Sequence, residues 1–176
     1  MKSGKVAKEQ YCYTKHGCCS VLAALEPKTG KRLAHVRRQR RKTEFARFMK
    51  NLAELYPDAE KIIVILDNLN THCKSAFYEE FDAAFAGALS DRFEFVFTPK
   101  KASWLNMIEI EFSALSRQCL NRRIPSMNQL SKEVFAYFKK RNDEGIKINW
   151  QFSRQKARVV LNSHYTKVNG ENIKYK

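Results

Sequence analysis

Two stretches of this sequence place carboxylates where they could do chemistry. The first is Ile62-Ile63-Val64-Ile65-Leu66, a continuous apolar run closed by Asp67-Asn68-Leu69-Asn70-Thr71-His72. Five aliphatic residues bounded by turn formers read as a strand buried on both faces. Asp67 then falls at its carboxyl end, in the crevice where open α/β sheets bind ligands. A plain turn is the alternative reading of Asp67 and Asn68. The second stretch is a helix predicted to start near Trp104 with Ser103 as its cap. Leu105, Ile108, Phe112, Leu115 and Cys119 form one apolar stripe on it, and Glu109 and Glu111 lie on opposite borders of that stripe. Either glutamate suits a surface role, and periodicity does not choose between them. Cys12, His16, Cys18 and Cys19 also crowd together. Strand alternation sends Cys18 and Cys19 to opposite sides, against the tetrahedral convergence that zinc requires.

The elements that must carry these acids follow from pattern. Residues 17–25 and 31–37 read as an antiparallel hairpin across the turn Pro27-Lys28-Thr29-Gly30, with Tyr11-Cys12-Tyr13 as further strand material. Thr43 is the predicted cap of an amphipathic helix in which Phe45, Phe48, Met49, Leu52, Leu55 and Tyr56 recur at helical spacing, and Pro57 stops it. Ser75 to about Leu89 reads as one helix with Phe77, Phe81 and Phe85 four residues apart. Arg92–Thr98 alternates as a strand. The order strand, helix, strand, helix predicts parallel pairing of the two later strands, with helices on the faces. Ser126 to about Arg141 is a further amphipathic helix with Leu130, Val134, Tyr137 and Phe138 inward. Ser153 to about Leu161 is the last, followed by a polar tail expected to fray.

With 33 Lys and Arg against 18 Asp and Glu in 176 residues, the formal charge is +15. That excess favours a polyanion, most simply nucleic acid, through phosphate neutralisation. A solvated basic face without a partner is the alternative. The densest run is Arg37-Arg38-Gln39-Arg40-Arg41-Lys42. Lys100 and Lys101 sit in a short loop, and Arg122 and Arg123 follow the acid-bearing helix. All are candidate DNA contacts. No apolar run approaches membrane-spanning length and no signal-peptide core is evident, so a cytoplasmic chain with no membrane partner is expected. The cysteines, five in number and without Cys-x-x-Cys pairing, are expected to be reduced thiols.

Taken together, Asp67-Asn68-x-x-x-His72 at a strand end and Pro99 followed by Leu105-Asn106-Met107-Ile108-Glu109 at a helix start resemble the DDE transposases of bacterial insertion sequences related to the mariner superfamily. Glu26-Pro27-Lys28-Thr29-Gly30, the stretch from Phe112 to Pro125, and Ile148-Asn149-Trp150-Gln151-Phe152 extend the resemblance along the chain. It implies an α/β, ribonuclease-H-like mixed sheet flanked by helices. It also implies DNA cleavage and strand transfer assisted by Mg²⁺, with Mn²⁺ as a substitute. Hard carboxylate oxygens hold such ions, which activate the attacking oxygen and stabilise the leaving one. Asp67 matches the second acid of the family. Glu109 matches the third, because the Asn-x-Ile-Glu register selects it over Glu111. Asn68 and His72 match motif positions whose implied role is to order the strand end.

The chain departs from the family at its first acid, which belongs on a strand upstream of the hairpin. Glu9 and Glu26 are the nearby acids; Glu9 follows no apolar strand and Glu26 lies in the hairpin turn. The expected organisation is a polar lead-in at 1–10, an N-terminally truncated catalytic domain at 11–161 lacking the first central strand, and a basic tail at 162–176. Two sheet edges would then lack a neighbour, so the isolated chain is expected to fold poorly or to re-pair its strands. An active enzyme would need the first Asp from a second polypeptide, and the expected protein partners are a further copy of this chain or a chain that carries that Asp. Two other functions stand against this one: a non-catalytic basic DNA-binding remnant that interferes with an intact transposase, and a ribonuclease-H-like nuclease acting on RNA.

Overall fold

The computed structural model describes residues 17–99 and 102–168, with backbone alone at 161 and 163–168. The expected strand material at 11–13, Cys12 and His16, Lys100 and Lys101, and the end of the tail lie outside the described residues.

The hairpin forms as expected. β1 (Ser20–Leu25) pairs antiparallel with β2 (Arg32–Arg37), Val21 facing Val36 and Ala23 facing Ala34. Its turn closes through Gly30, whose φ of 80° favours glycine and whose added Cβ would lie 2.6 Å from the Ile146 carbonyl oxygen. α1 (Lys42–Glu54) follows. Its N-cap is Arg41 rather than Thr43: the Glu44 carboxylate accepts the Arg41 backbone N–H at 3.0 Å, and Thr43 falls inside the first turn. Arg92 reaches back to the other end of α1, donating to the carbonyls of Tyr56 and Ala59 at 2.6 and 3.1 Å. A cation there satisfies acceptors that lack helical partners.

β3 (Ile62–Leu66) and β4 (Phe93–Phe97) pair parallel, Val64 facing Phe95. The predicted single helix between them is two: α2 (Ser75–Glu80) ends where Phe81 turns extended, and α3 (Ala83–Arg92) restarts on Asp82, whose carboxylate accepts the Phe85 N–H at 3.0 Å. The four-residue Phe spacing is therefore not one stripe. Phe77 is fully buried, whereas Phe85 is exposed and meets Phe81 edge-on.

The predicted helix at Trp104 also starts later. Ser103–Leu105 is a 3-10 turn, and α4 runs Ile108–Gln118. α5 (Met127–Asp143) buries Leu130, Val134 and Phe138 as expected and is capped by Ser126. α6 (Arg154–Val168) continues through part of what was expected to be a frayed tail.

The hairpin is the middle layer. Leu22, Ala24 and Leu33 pack toward the core built by α1, α2 and α3, while Ala34 and Val36 join Leu115, Val134 and Phe138 of α4 and α5, with Val21 and Ala23 against them. β3 was expected to be covered on both faces and is covered on one. Ile62, Val64 and Leu66 face the α1 core, whereas Ile63 and Ile65 are 65% and 55% exposed. Among the described residues the strands form two separate pairs, and no ladder joins β1 to β3. The architecture is a mixed α/β one, with small sheets flanked by helices.

Candidate active site

Asp67 follows the last residue of β3, where the backbone leaves the sheet. Three contacts fix that exit. The Leu66 carbonyl accepts the Thr98 N–H at 2.8 Å, the Asn68 side-chain amide donates to the Thr98 carbonyl, and His72 N–H closes a turn on the Leu69 carbonyl at 2.9 Å. The ends of β3 and β4 are thereby tied together beneath the acid.

His72 is bent back over Asp67 by this turn. Its Nδ1 lies 2.7 Å from Asp67 Oδ1, close in distance though poorly aligned for a hydrogen bond. Its ring packs 4.8 Å from that of Phe45, a fully buried residue near the start of α1. The Asp67 carboxylate remains 40% exposed and the imidazole only 16%. An acid open to solvent, held from behind by a buried ring, retains Oδ2 outside that contact.

Glu109 and Glu111 have opposite fates. Glu109 is exposed in the first turn of α4. Glu111 is fully buried between two arginines, with Oε2 3.0 Å from Arg32 and accepting Arg141 NH2 at 3.2 Å, and Oε1 2.6 Å from Arg141 Nε. This cluster joins β2, α4 and α5 and leaves Glu111 no face toward a ligand. Sequence periodicity missed it, although Arg32 alternates with Ala34 and Val36 on the inward side of β2, which is the available signal.

Asn106 connects the two acid-bearing elements. Its amide Nδ2 donates to the Ile65 carbonyl on β3 at 3.3 Å, and its Oδ1 accepts the Ile108 N–H at the start of α4 at 3.2 Å. The preceding 3-10 turn is held by Trp104, which meets Phe152 edge-on at 5.0 Å. An Asn two residues before the helix start is the sequence signal for the Ile108 bond alone.

The basic candidates divide. Because Phe45 touches His72, the start of α1 and the arginine run before it lie at the same end of the fold as Asp67. Arg38, Arg40 and Arg41 are exposed there. Arg37 instead turns to the Val36 carbonyl and the His35 ring, and Lys42 pairs with Glu79. Arg122 pairs with Glu133, and Arg123 is exposed. Glu26 accepts Thr29 and Tyr56 hydroxyls at 2.6 and 3.0 Å, and these partners, Thr29 first, hold its carboxyl below the usual range. It is a turn residue at the hairpin.

The hard oxygens of Asp67 and Glu109 suit a divalent cation such as Mg²⁺ in donor type. In number they fall short: among the described residues no group of three or more His, Cys, Asp and Glu side chains is gathered to hold one. Among the same residues, no helix is long and apolar enough to cross a membrane.

Comparison with known protein families matches residues 1–131 to the DDE superfamily endonucleases. Comparisons with curated proteins and with solved structures gave no match. The matched span includes both Asp67 at the end of β3 and Glu109 at the start of α4, and the chain belongs to the DDE superfamily endonuclease family.

Proposed function

We propose that the chain serves DNA cleavage and strand transfer as the catalytic domain of an insertion-sequence transposase, related to the mariner group and ribonuclease-H-like in plan. The observation that carries this reading is the Asn106 bridge. It ties the strand end bearing Asp67 to the first turn bearing Glu109, the two positions that match the family's second and third acids. In this reading both carboxylates hold Mg²⁺ or Mn²⁺, which when bound polarises the scissile phosphate and activates the attacking oxygen. Asp67 presents its exposed oxygen, His72 keeps that carboxylate in place, and Glu109 closes the site from α4. Arg38, Arg40, Arg41 and Arg123, with Lys100 and Lys101, would run along the phosphates of transposon ends and target DNA.

The remaining acid is proposed to come from a further strand, in the same polypeptide or in a partner chain, because among the described residues no group of three or more His, Cys, Asp and Glu side chains is gathered. The same shortage favours the second reading, a non-catalytic DNA-binding protein that interferes with intact transposase by mixed assembly. One experiment separates them: Mn²⁺-dependent nicking of labelled duplex DNA, alone and with a chain supplying the missing acid, alongside DNA binding. Nicking lost in both Asp67→Asn and Glu109→Gln supports the enzyme. Salt-sensitive binding that survives both changes, with no nicking under either condition, supports the second reading.

A further inference from the structure

The side-chain amide of Asn106 stands at an unusual crossing. In a strand, successive residues send their backbone groups to opposite edges. Leu66 O is taken by Thr98 N at 2.8 Å, on the β4 side. Ile65 O therefore points to the other edge of β3, and there Asn106 Nδ2 meets it at 3.3 Å. The other end of the same amide, Oδ1, accepts Ile108 N at 3.2 Å, and the Asn106 carbonyl accepts Glu109 N at 3.1 Å. One residue thus bonds the backbone two positions before Asp67 and both the residue before Glu109 and Glu109 itself.

We propose that Asn106 is the positioning residue that sets the spacing between the Asp67 and Glu109 carboxylates. The inference rests on the reading of those two acids as metal ligands given above. Asn106 does not touch the cation; it acts through the strand end and the helix start. A helix cap alone would need only the Oδ1 contact to Ile108, which Ser or Thr reproduces with a hydroxyl. The bond to Ile65 needs a donor projecting beyond that acceptor, which those hydroxyls are too short to supply. The two contacts can therefore be separated by substitution.

The test is titration of the full chain with Mn²⁺, following the free-ion signal by electron paramagnetic resonance, with helix content read by circular dichroism on each variant. Wild type is compared with Asp67→Asn, Glu109→Gln, Asn106→Ser, Asn106→Thr and Asn106→Ala. The expected result is acid-dependent Mn²⁺ binding that weakens at least about tenfold in all three Asn106 variants, the usual scale for losing a residue that orients a ligand. Helix content is expected to stay at the wild-type level in the Ser and Thr variants. Wild-type affinity in either of those two would overturn the inference and leave the metal reading standing, since a cap would then suffice. Wild-type Mn²⁺ binding no stronger than that of the two acid variants would overturn the metal reading and the inference with it.

Discussion

His72 Nδ1 stands 2.7 Å from Asp67 Oδ1, and the imidazole is held there by Phe45, whose ring lies 4.8 Å away. The acid at the sheet rim is thus braced by the first turn of α1, through a residue five positions downstream of it. His72→Phe keeps an aromatic ring against Phe45 and removes the nitrogen. Expected is an unfolding midpoint close to wild type and, on the proposed reading of Asp67 as a metal ligand, Mn²⁺ affinity lower by about 10- to 100-fold, the range typical of losing a group that orients such a ligand. Unchanged affinity in calorimetric titration would show that the contact orients nothing.

Glu111 and Glu109 should separate cleanly by stability. Glu111→Gln leaves Arg32 buried, and Arg141 half-buried, without their counter-charge, and breaking a buried pair in this way costs about 3–5 kcal/mol. Glu109→Gln alters an exposed side chain and should stay within about 0.5 kcal/mol of wild type. Urea unfolding of both variants measures the difference. A Glu111→Gln loss as small as that expected for Glu109→Gln would mean that the arginine cluster does not hold the fold together.

His35 makes stability depend on pH. It is buried, edge-on to Phe48 at 5.1 Å, with the Arg37 guanidinium 3.3 Å from Nδ1. Burial first, then Arg37, holds its pKa below the ordinary 6.5. The unfolded chain therefore binds the proton more readily. The stabilising contribution is complete above about pH 6.5 and is lost as pH falls through the folded-state value. Urea midpoints at pH 7.5 and 5.5 should drop for wild type and change less for His35→Gln. The same drop in both would place the acid sensitivity elsewhere.

The elements were legible where one interaction decides them. The hairpin, the parallel pairing of β3 with β4 and the inward face of α5 follow from periodicity and turn residues, whereas periodicity left Glu109 and Glu111 equivalent and only the structure shows that Glu111 is buried. What stayed hidden depended on tertiary contacts. The Phe77, Phe81 and Phe85 spacing suits a continuous helix, yet Asp82 stops and restarts it by accepting the Phe85 N–H. The β3 run reads as doubly buried, but nothing local tells which side of a strand lacks a covering layer, and Ile63 and Ile65 face outward. The bond from Asn106 to Ile65 spans 41 positions, and no window on the sequence contains both ends.

DNA affinity should divide the basic residues as their surroundings do. Arg38, Arg40 and Arg41 are exposed at the end of the fold that holds Asp67, whereas Lys42 and Arg122 already face Glu79 and Glu133. A phosphate contact releases a counterion, so log affinity falls with log salt by about 0.9 per contact on duplex DNA. Replacing Arg38, Arg40 and Arg41 together by Gln should therefore flatten the slope by about 2.7 and weaken binding alike across unrelated sequences. Replacing Lys42 and Arg122 together by Gln should flatten it by less than about one unit, because each would have to leave a carboxylate to reach a phosphate. Fluorescence anisotropy at several salt concentrations reads both slopes. A larger change for the second pair would show that Glu79 and Glu133 do not withhold Lys42 and Arg122 from phosphate.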